Sequence, residues 1–483
     1  MGLWSALVLA ACASGCAVPL APGYRVVEER REVRFVPGTV PELQIHAQFK
    51  LVNSGNNDLS FVDVVFPEEK AYGRADLRVQ VDKHEAALSN LPDEYQQELP
   101  NALRISFDSI WRQKQAHELT IDYAFRSPAD SGSRITLGAE NFHLGSRGWF
   151  PVLQPPKHFL APNPTLPDKT VYSVRVPSGF AVLARGIAAV QKKEGGETVF
   201  RFKLRTGDLA PYVVAGRYAE AGGTNQKAGG VVFWTLQPLK EDSSATAEKI
   251  TAAWTKLESD FGPLDKNIRM SHVVESAELR SHVGHATGPA AAAFPGGVLV
   301  NPDALALGIN SGDFLEMITH ALAHNWFGDE IYPAADASIG IGEGLPEYGT
   351  IVIDEERGGA DARTKRILRY LNAYDAGLRA GTETTLAITT MDDPVPQRRI
   401  ALAKAPLFMA ALEDECGTKA MRTGVAEMVT LLRGQNVGYA DLRSALEHAS
   451  GKNLAELFRV WLNEKGIPAD FRVRYEGKKR GPD

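Results

Sequence analysis

His320 and His324 stand four residues apart in the run His320-Ala321-Leu322-Ala323-His324-Asn325-Trp326-Phe327-Gly328-Asp329. The stretch from Asp313 to Gly328 contains no proline, and Asp313-Phe314-Leu315-Glu316 has the pattern of a capping box, so a helix is expected over Asp313–Phe327. Side chains at i and i+4 share one helical face, the spacing at which two imidazoles bind one tetrahedral Zn²⁺. A zinc site needs a third protein ligand. Glu343 stands nineteen residues after His324, in Ile341-Gly342-Glu343-Gly344-Leu345-Pro346-Glu347-Tyr348. Pro346 fits a first helical turn, so the helix carrying Glu343 is expected to start near Gly342. Glu347 then falls on the side of Glu343, where it could orient a ligand histidine from behind; an exposed glutamate at a helix start fits the spacing equally well.

The elements that must position these groups come in two blocks. From Val26 to Ala219 the pattern is strand-like, as in Leu43-Gln44-Ile45-His46-Ala47-Gln48-Phe49 and Leu119-Thr120-Ile121-Asp122-Tyr123, with Asn, Gly and Pro turns between. Glu220-Ala221-Gly222-Gly223 reads as a linker, followed by one more strand-like run, Gly230 to Thr235. Beyond Ser243 the period is helical. Ala247, Ile250, Trp254 and Leu257 mark one face of a helix over Ser244–Phe261, and further helices are expected at Asp361–Ala376, Lys404–Glu415, Tyr439–Ala449 and Leu454–Glu464. Phe471-Arg472-Val473-Arg474-Tyr475 alternates like a single strand. The division is therefore a leader (1–24), an N-terminal β domain (25–225), a mainly helical domain (226–470) and a C-terminal strand and tail (471–483), an α+β multidomain architecture.

Length and composition narrow the function. The 483 residues carry 53 Lys+Arg against 59 Asp+Glu, a net charge of −6, which disfavours general nucleic-acid binding. With 44% hydrophobic and 23% charged residues the chain is globular. Its three cysteines, Cys12, Cys16 and Cys416, make no disulfide framework. Two of them lie in an uncharged leader with a short apolar core, the pattern of an export signal. Leu9-Ala10-Ala11-Cys12 resembles a bacterial lipobox, with Ala13-Ser14-Gly15-Cys16 a poorer second, so the expected location is the bacterial cell envelope, lipid-anchored through Cys12 or free in the periplasm.

The run H-x-x-x-H-N-W-F-G-D followed by E-G resembles the membrane alanine aminopeptidase family of gluzincin zinc peptidases, whose pattern is H-E-x-x-H with a W-F-G tail and eighteen residues between the second His and the glutamate ligand. Gly148-Trp149-Phe150-Pro151, Pro211 to Tyr218, Leu457 to Leu462 and Gly466-Ile467-Pro468 extend the resemblance over nearly the whole chain. It implies a saddle-like β domain before a thermolysin-like zinc domain. His320, His324 and Glu343 would be ligands of one zinc ion, and peptides or protein N-termini the partners.

Three departures touch the chemistry. The family's glutamate general base is Ala321 here, and alignment on Lys404 puts Leu402 at the oxyanion-stabilising tyrosine. The family anchors the peptide α-amine with a G-x-M-E-N glutamate, whereas Arg280 to Pro302 holds no acidic residue and Gly288-Pro289-Ala290-Ala291-Ala292-Ala293 takes that place. A lost general base costs about 10²–10⁴ in rate and a lost oxyanion donor about 10²–10³. The expectation is a zinc-binding pseudoenzyme that retains peptides. The alternative is an active metallopeptidase with a substitute base, for which Glu316 and Glu347 are the candidates and Asp329 lies beyond the helix. His282 and His285 are a weaker second metal pair.

Overall fold

The computed structural model describes residues 23–66, 74–91, 102–126, 135–145, 149–153, 168–185, 187–204, 212–222, 230–265, 268–279, 289–391 and 393–477. Residues 1–22 of the leader, with Cys12 and Cys16, Gly148, and the pair His282 and His285 lie outside them.

The first block folds as three β-sheets, one of eight strands and two of four. Its longest strands, Tyr24–Val36 and Glu42–Asn53, pair antiparallel, and the second buries every other residue: Leu43, Ile45, Ala47, Phe49 and Leu51. That is the period-2 pattern of a strand with one face in a core. Trp149, from the Trp-Phe-Pro turn, is fully buried; its indole N–H donates to the Gly145 carbonyl at 2.6 Å, and its own carbonyl accepts the Tyr123 hydroxyl at 2.5 Å.

The second block opens on a five-stranded sheet ordered Ala219–Gly222, Val232–Thr235, His272–Glu275, Gly297–Val300 and Ala291–Phe294. Glu220 to Gly222, expected as a linker, is therefore a strand: Ala219 to Gly222 pair antiparallel with Thr235 to Val232. The backbone gains a ladder there that small residues do not signal.

Nine helices follow among the described residues. Ser244–Phe261 forms as expected and buries Ala247, Ile250, Trp254 and Leu257. The segments after Glu343 and around Asp361 run as one element, Gly344–Ala380, broken only at Gly359, whose φ of 69° a glycine adopts without strain. Val395–Cys416, Tyr439–Ser450 and Ala455–Asn463 cover the other expected helices. The C-terminal segment is a helix, Ala469–Glu476, and not a strand. Phe471 and Tyr475, four apart, are buried while Val473 is 70% exposed, so the three apolar residues do not share the face a strand would give them.

The domains meet through an apolar cluster in which Val214 of the β domain is joined by Trp234, Val274, Ala292 and Phe294 of the second. Ser276 Oγ donates to Thr136 Oγ1 across the same junction at 3.0 Å.

Candidate metal centre

The first two candidate ligands come from the helix Gly312–Ala323 and its C-cap, His324. Its N-cap is Ser311, two residues before the expected start at Asp313, and the Ser311 Oγ accepts the Phe314 N–H at 3.1 Å; with Phe314 three residues on, it is a single cap and not the expected capping box. The helix also ends four residues before Phe327, and the residues beyond it tie the site to the core. Asn325 Oδ1 accepts the Gly296 N–H at 2.8 Å, pinning the turn between the last two sheet strands, and the Trp326 indole donates to the Gly262 carbonyl at 2.7 Å. Glu343 is the N-cap of the long helix. Gly342, just before it, has no room for a side chain, because a Cβ there would collide with the Ser338 carbonyl oxygen.

His320, His324 and Glu343 converge. The two Nε2 atoms are 3.1 Å apart, and Glu343 Oε2 lies 3.4 Å from His320 Nε2 and 3.7 Å from His324 Nε2. Zinc bonds of about 2.0–2.2 Å in a tetrahedron require ligand atoms about 3.3–3.6 Å apart. The observed triangle brackets that spacing, and two imidazoles with one carboxylate are a donor set zinc accepts, so the residues fit the ion.

Behind them, Glu347 Oε1 lies 3.4 Å from His320 Nδ1. Its other oxygen accepts hydrogen bonds from the Tyr370 hydroxyl and, at 3.4 Å, from Thr350 Oγ1, and the two hydroxyls are 3.0 Å apart. A carboxylate at Nδ1 favours the tautomer that leaves the Nε2 lone pair for a metal. Burial disfavours a charged His320, but the Glu347 and Glu343 carboxylates outweigh it and push the imidazole pKa up to about 10. Burial also works against ionised Glu343 and Glu347, yet His324 and His320 hold the first well below the usual carboxylate range, and His320 with Tyr370 lowers the second.

His320, His324, Glu343 and Glu347 line a cavity of about 800 Å³ bounded by both domains, together with His143 and Gly145 from the β domain, the Pro289–Phe294 segment and Leu402. Leu402 thus stands in the cavity wall, whereas Ala321 is 1% exposed and packs in the domain core. Glu316 lines the cavity too, but Arg369 grips it through both oxygens at 2.5 and 2.9 Å and Arg366 adds an ion pair. Asp329, beyond the helix end, also lines the wall.

Tyr370 and His143 were not legible as site residues. Tyr370 follows Glu347 by twenty-three positions, past the break at Gly359, and His143 sits inside an otherwise ordinary strand.

Residues 295–461 match the peptidase family M1 domain. Among solved structures, the chain is similar to a glutamate-to-alanine variant of the M1 zinc metallopeptidase from Deinococcus radiodurans, with a TM-score of 0.64 and 17% identity, covering 92% of this chain and 96% of that one. The variant bound to a Tyr-Ser-Ala substrate gives a TM-score of 0.62 at 17% identity, covering 92% and 95%. Yeast LTA4 hydrolase in complex with bestatin gives 0.60 at 14%, covering 92% of this chain and 68% of that one. At such identities the likeness is one of fold. No curated protein sequence matches the chain. The His-His-Glu cluster therefore lies within residues 295–461, the segment that matches the peptidase family M1 domain, behind an N-terminal β domain in a fold similar to that of the two-domain M1 zinc metallopeptidase structures.

Proposed function

We propose that this chain is an aminopeptidase-like, zinc-binding member of the M1 family whose peptidase chemistry is lost or strongly reduced and which holds peptides in its cleft. The observation that carries this is a ligand triangle of zinc dimensions beside an alanine at the base position. His320, His324 and Glu343 would hold one ion, with Glu347 orienting His320. When bound, zinc supplies a Lewis acid that polarises a peptide carbonyl. The proton transfers of hydrolysis fall to the protein, and Ala321 has no group to perform them. The contacts also weigh against the substitutes: Glu316 is committed to two arginines, and Glu347 to His320, Tyr370 and Thr350. Leu402, in the cavity wall, has no hydroxyl for an oxyanion. The Deinococcus variant, with a glutamate replaced by alanine, holds Tyr-Ser-Ala, which supports peptide retention in a cleft of this fold.

The same reading places the protein in a bacterial envelope, exported and acylated on Cys12. Palmitate labelling of the full chain, abolished by Cys12→Ser, tests that part. The test of the site is restoration: Ala321→Glu with Leu402→Tyr should raise chelator-sensitive hydrolysis of aminoacyl reporters at least about 10²-fold. No gain in a variant that still carries zinc would count against the reading. Loss of a measurable wild-type rate on replacing Glu316 or Glu347 would instead favour an active enzyme with a substitute base.

A further inference from the structure

We propose that Tyr370 is a positioning residue of the metal centre: its hydroxyl, delivered by a fold-back of the long helix at Gly359, holds Glu347 against His320 and so sets how tightly the ligand triangle binds zinc. This rests on the zinc-binding reading above and adds to the same site a residue outside the ligand set.

Glu347, Thr350 and Tyr370 all belong to the element Gly344–Ala380. On a straight helix the twenty-three positions from Glu347 to Tyr370 span about 34 Å, yet the two side chains share a hydrogen bond. The break at Gly359 therefore turns the second arm of the element back along the first. Two further pairs reach across the break in the same sense: Arg366 Nε donates to Asp354 Oδ2 at 2.7 Å, and Arg363 Nη1 lies 3.6 Å from Glu355 Oε2. The fold-back is what brings a phenol from the second arm to a carboxylate on the first.

The phenol matters because the two hydroxyls offer one proton each. Glu347 turns Oε1 to His320, 3.4 Å from Nδ1, and Oε2 to the hydroxyls of Tyr370 and Thr350. Thr350 Oγ1 lies 2.6 Å from the Glu347 carbonyl oxygen and 3.4 Å from Oε2, so its proton goes mainly to the backbone. Tyr370 is then the donor on which Oε2 depends, through a hydrogen bond to a charged acceptor, the stronger kind. The Glu347 side chain is 29% exposed and lines the cavity, so without that donor it is free to turn away from His320 into water. An imidazole ligand that loses the carboxylate at its outer nitrogen loses both orientation and basicity.

The test uses the full chain in competition for zinc against a chelator of known affinity, at neutral pH. Tyr370→Phe, which keeps the ring and removes the hydroxyl, should weaken zinc binding about 10–100-fold, and Thr350→Val less than about threefold. In a Glu347→Ala background, where the hydroxyl has no carboxylate to hold, Tyr370→Phe should change the affinity by less than about twofold, a coupling that a general packing role does not produce. In zinc-loaded protein the His320 Nδ1–H resonance should be sharp in the wild type and broadened by solvent exchange in Tyr370→Phe, with urea melts of the metal-free proteins establishing that each variant is folded. An unchanged affinity in Tyr370→Phe, or an equal loss with and without Glu347, overturns the assignment while leaving the zinc site intact. So does a wild-type Nδ1–H that exchanges as fast as that of an exposed imidazole. If the folded wild type takes up no zinc, the zinc-binding reading fails and this one with it.

Discussion

Zinc affinity should depend on pH far above the range of ordinary histidines. A metal-bound imidazole must give up the proton on its ligating nitrogen, so zinc binding expels the Nε2 proton of a charged His320 while Nδ1–H stays toward Glu347. Glu347 at Nδ1 and Glu343 at Nε2 push the His320 pKa up to about 10, so the ring is protonated throughout the neutral range. The sign is fixed: as pH rises toward that value the proton leaves more easily and zinc binds more tightly. One proton displaced per ion gives about a tenfold rise in affinity per pH unit, or about 10³ between pH 6 and 9. Two imidazoles with a pKa near 6.5 would instead flatten above about pH 7. Competition against a chelator of known zinc affinity, at fixed ionic strength over pH 6–9, distinguishes these curves. Glu347→Gln removes the main influence raising the pKa, so the break in slope should move to lower pH. An affinity that is flat above pH 7 in the wild type, or a break that Glu347→Gln does not move, would refute the account of how Glu347 acts on His320.

Other outcomes follow from groups away from the metal. His143 is buried neutral, with its pKa lowered from an ordinary 6.5 to about 3; the unfolded chain therefore binds the extra proton, and stability is lost as pH falls below about 6.5. Between pH 7.5 and 5.0 this amounts to about 2 kcal/mol, and urea melts should show that increment missing in His143→Gln. Lys404 is 1% exposed and pairs with Glu383 at 3.1 Å while donating to the Glu464 carbonyl at 2.7 Å. Lys404→Ala leaves the Glu383 carboxylate buried with only part of its partners and should cost about 3–5 kcal/mol in denaturant melts, and Glu383→Gln in the same background should recover part of the loss.

How far the sequence reached depended on whether a signal was local. The spacing of His320 and His324 is set by one helix, and Glu347 follows Glu343 by a single turn, so their juxtaposition needed no knowledge of the rest of the fold. The strands of the β domain were legible for the same reason, because each buries alternate residues. What failed was set by partners distant in the chain. Ala219–Gly222 is a strand because Val232–Thr235 pairs with it, and Ala469–Glu476 is a helix because Phe471 and Tyr475 bury together, Tyr475 donating to Asp414. Glu316 shares the stripe of His320, but Arg366 and Arg369, fifty and fifty-three positions on, decide where its carboxylate goes. His143 reaches the cavity only because two domains close on it.

The central claim is that the zinc site persists without the group that makes such a site a peptidase. Its most direct test is the chelator-sensitive turnover of wild-type protein, loaded with zinc, on aminoacyl reporter substrates. Ala321 and Leu402 predict a rate indistinguishable from the chelated control. Vigorous hydrolysis that disappears with the metal would contradict it.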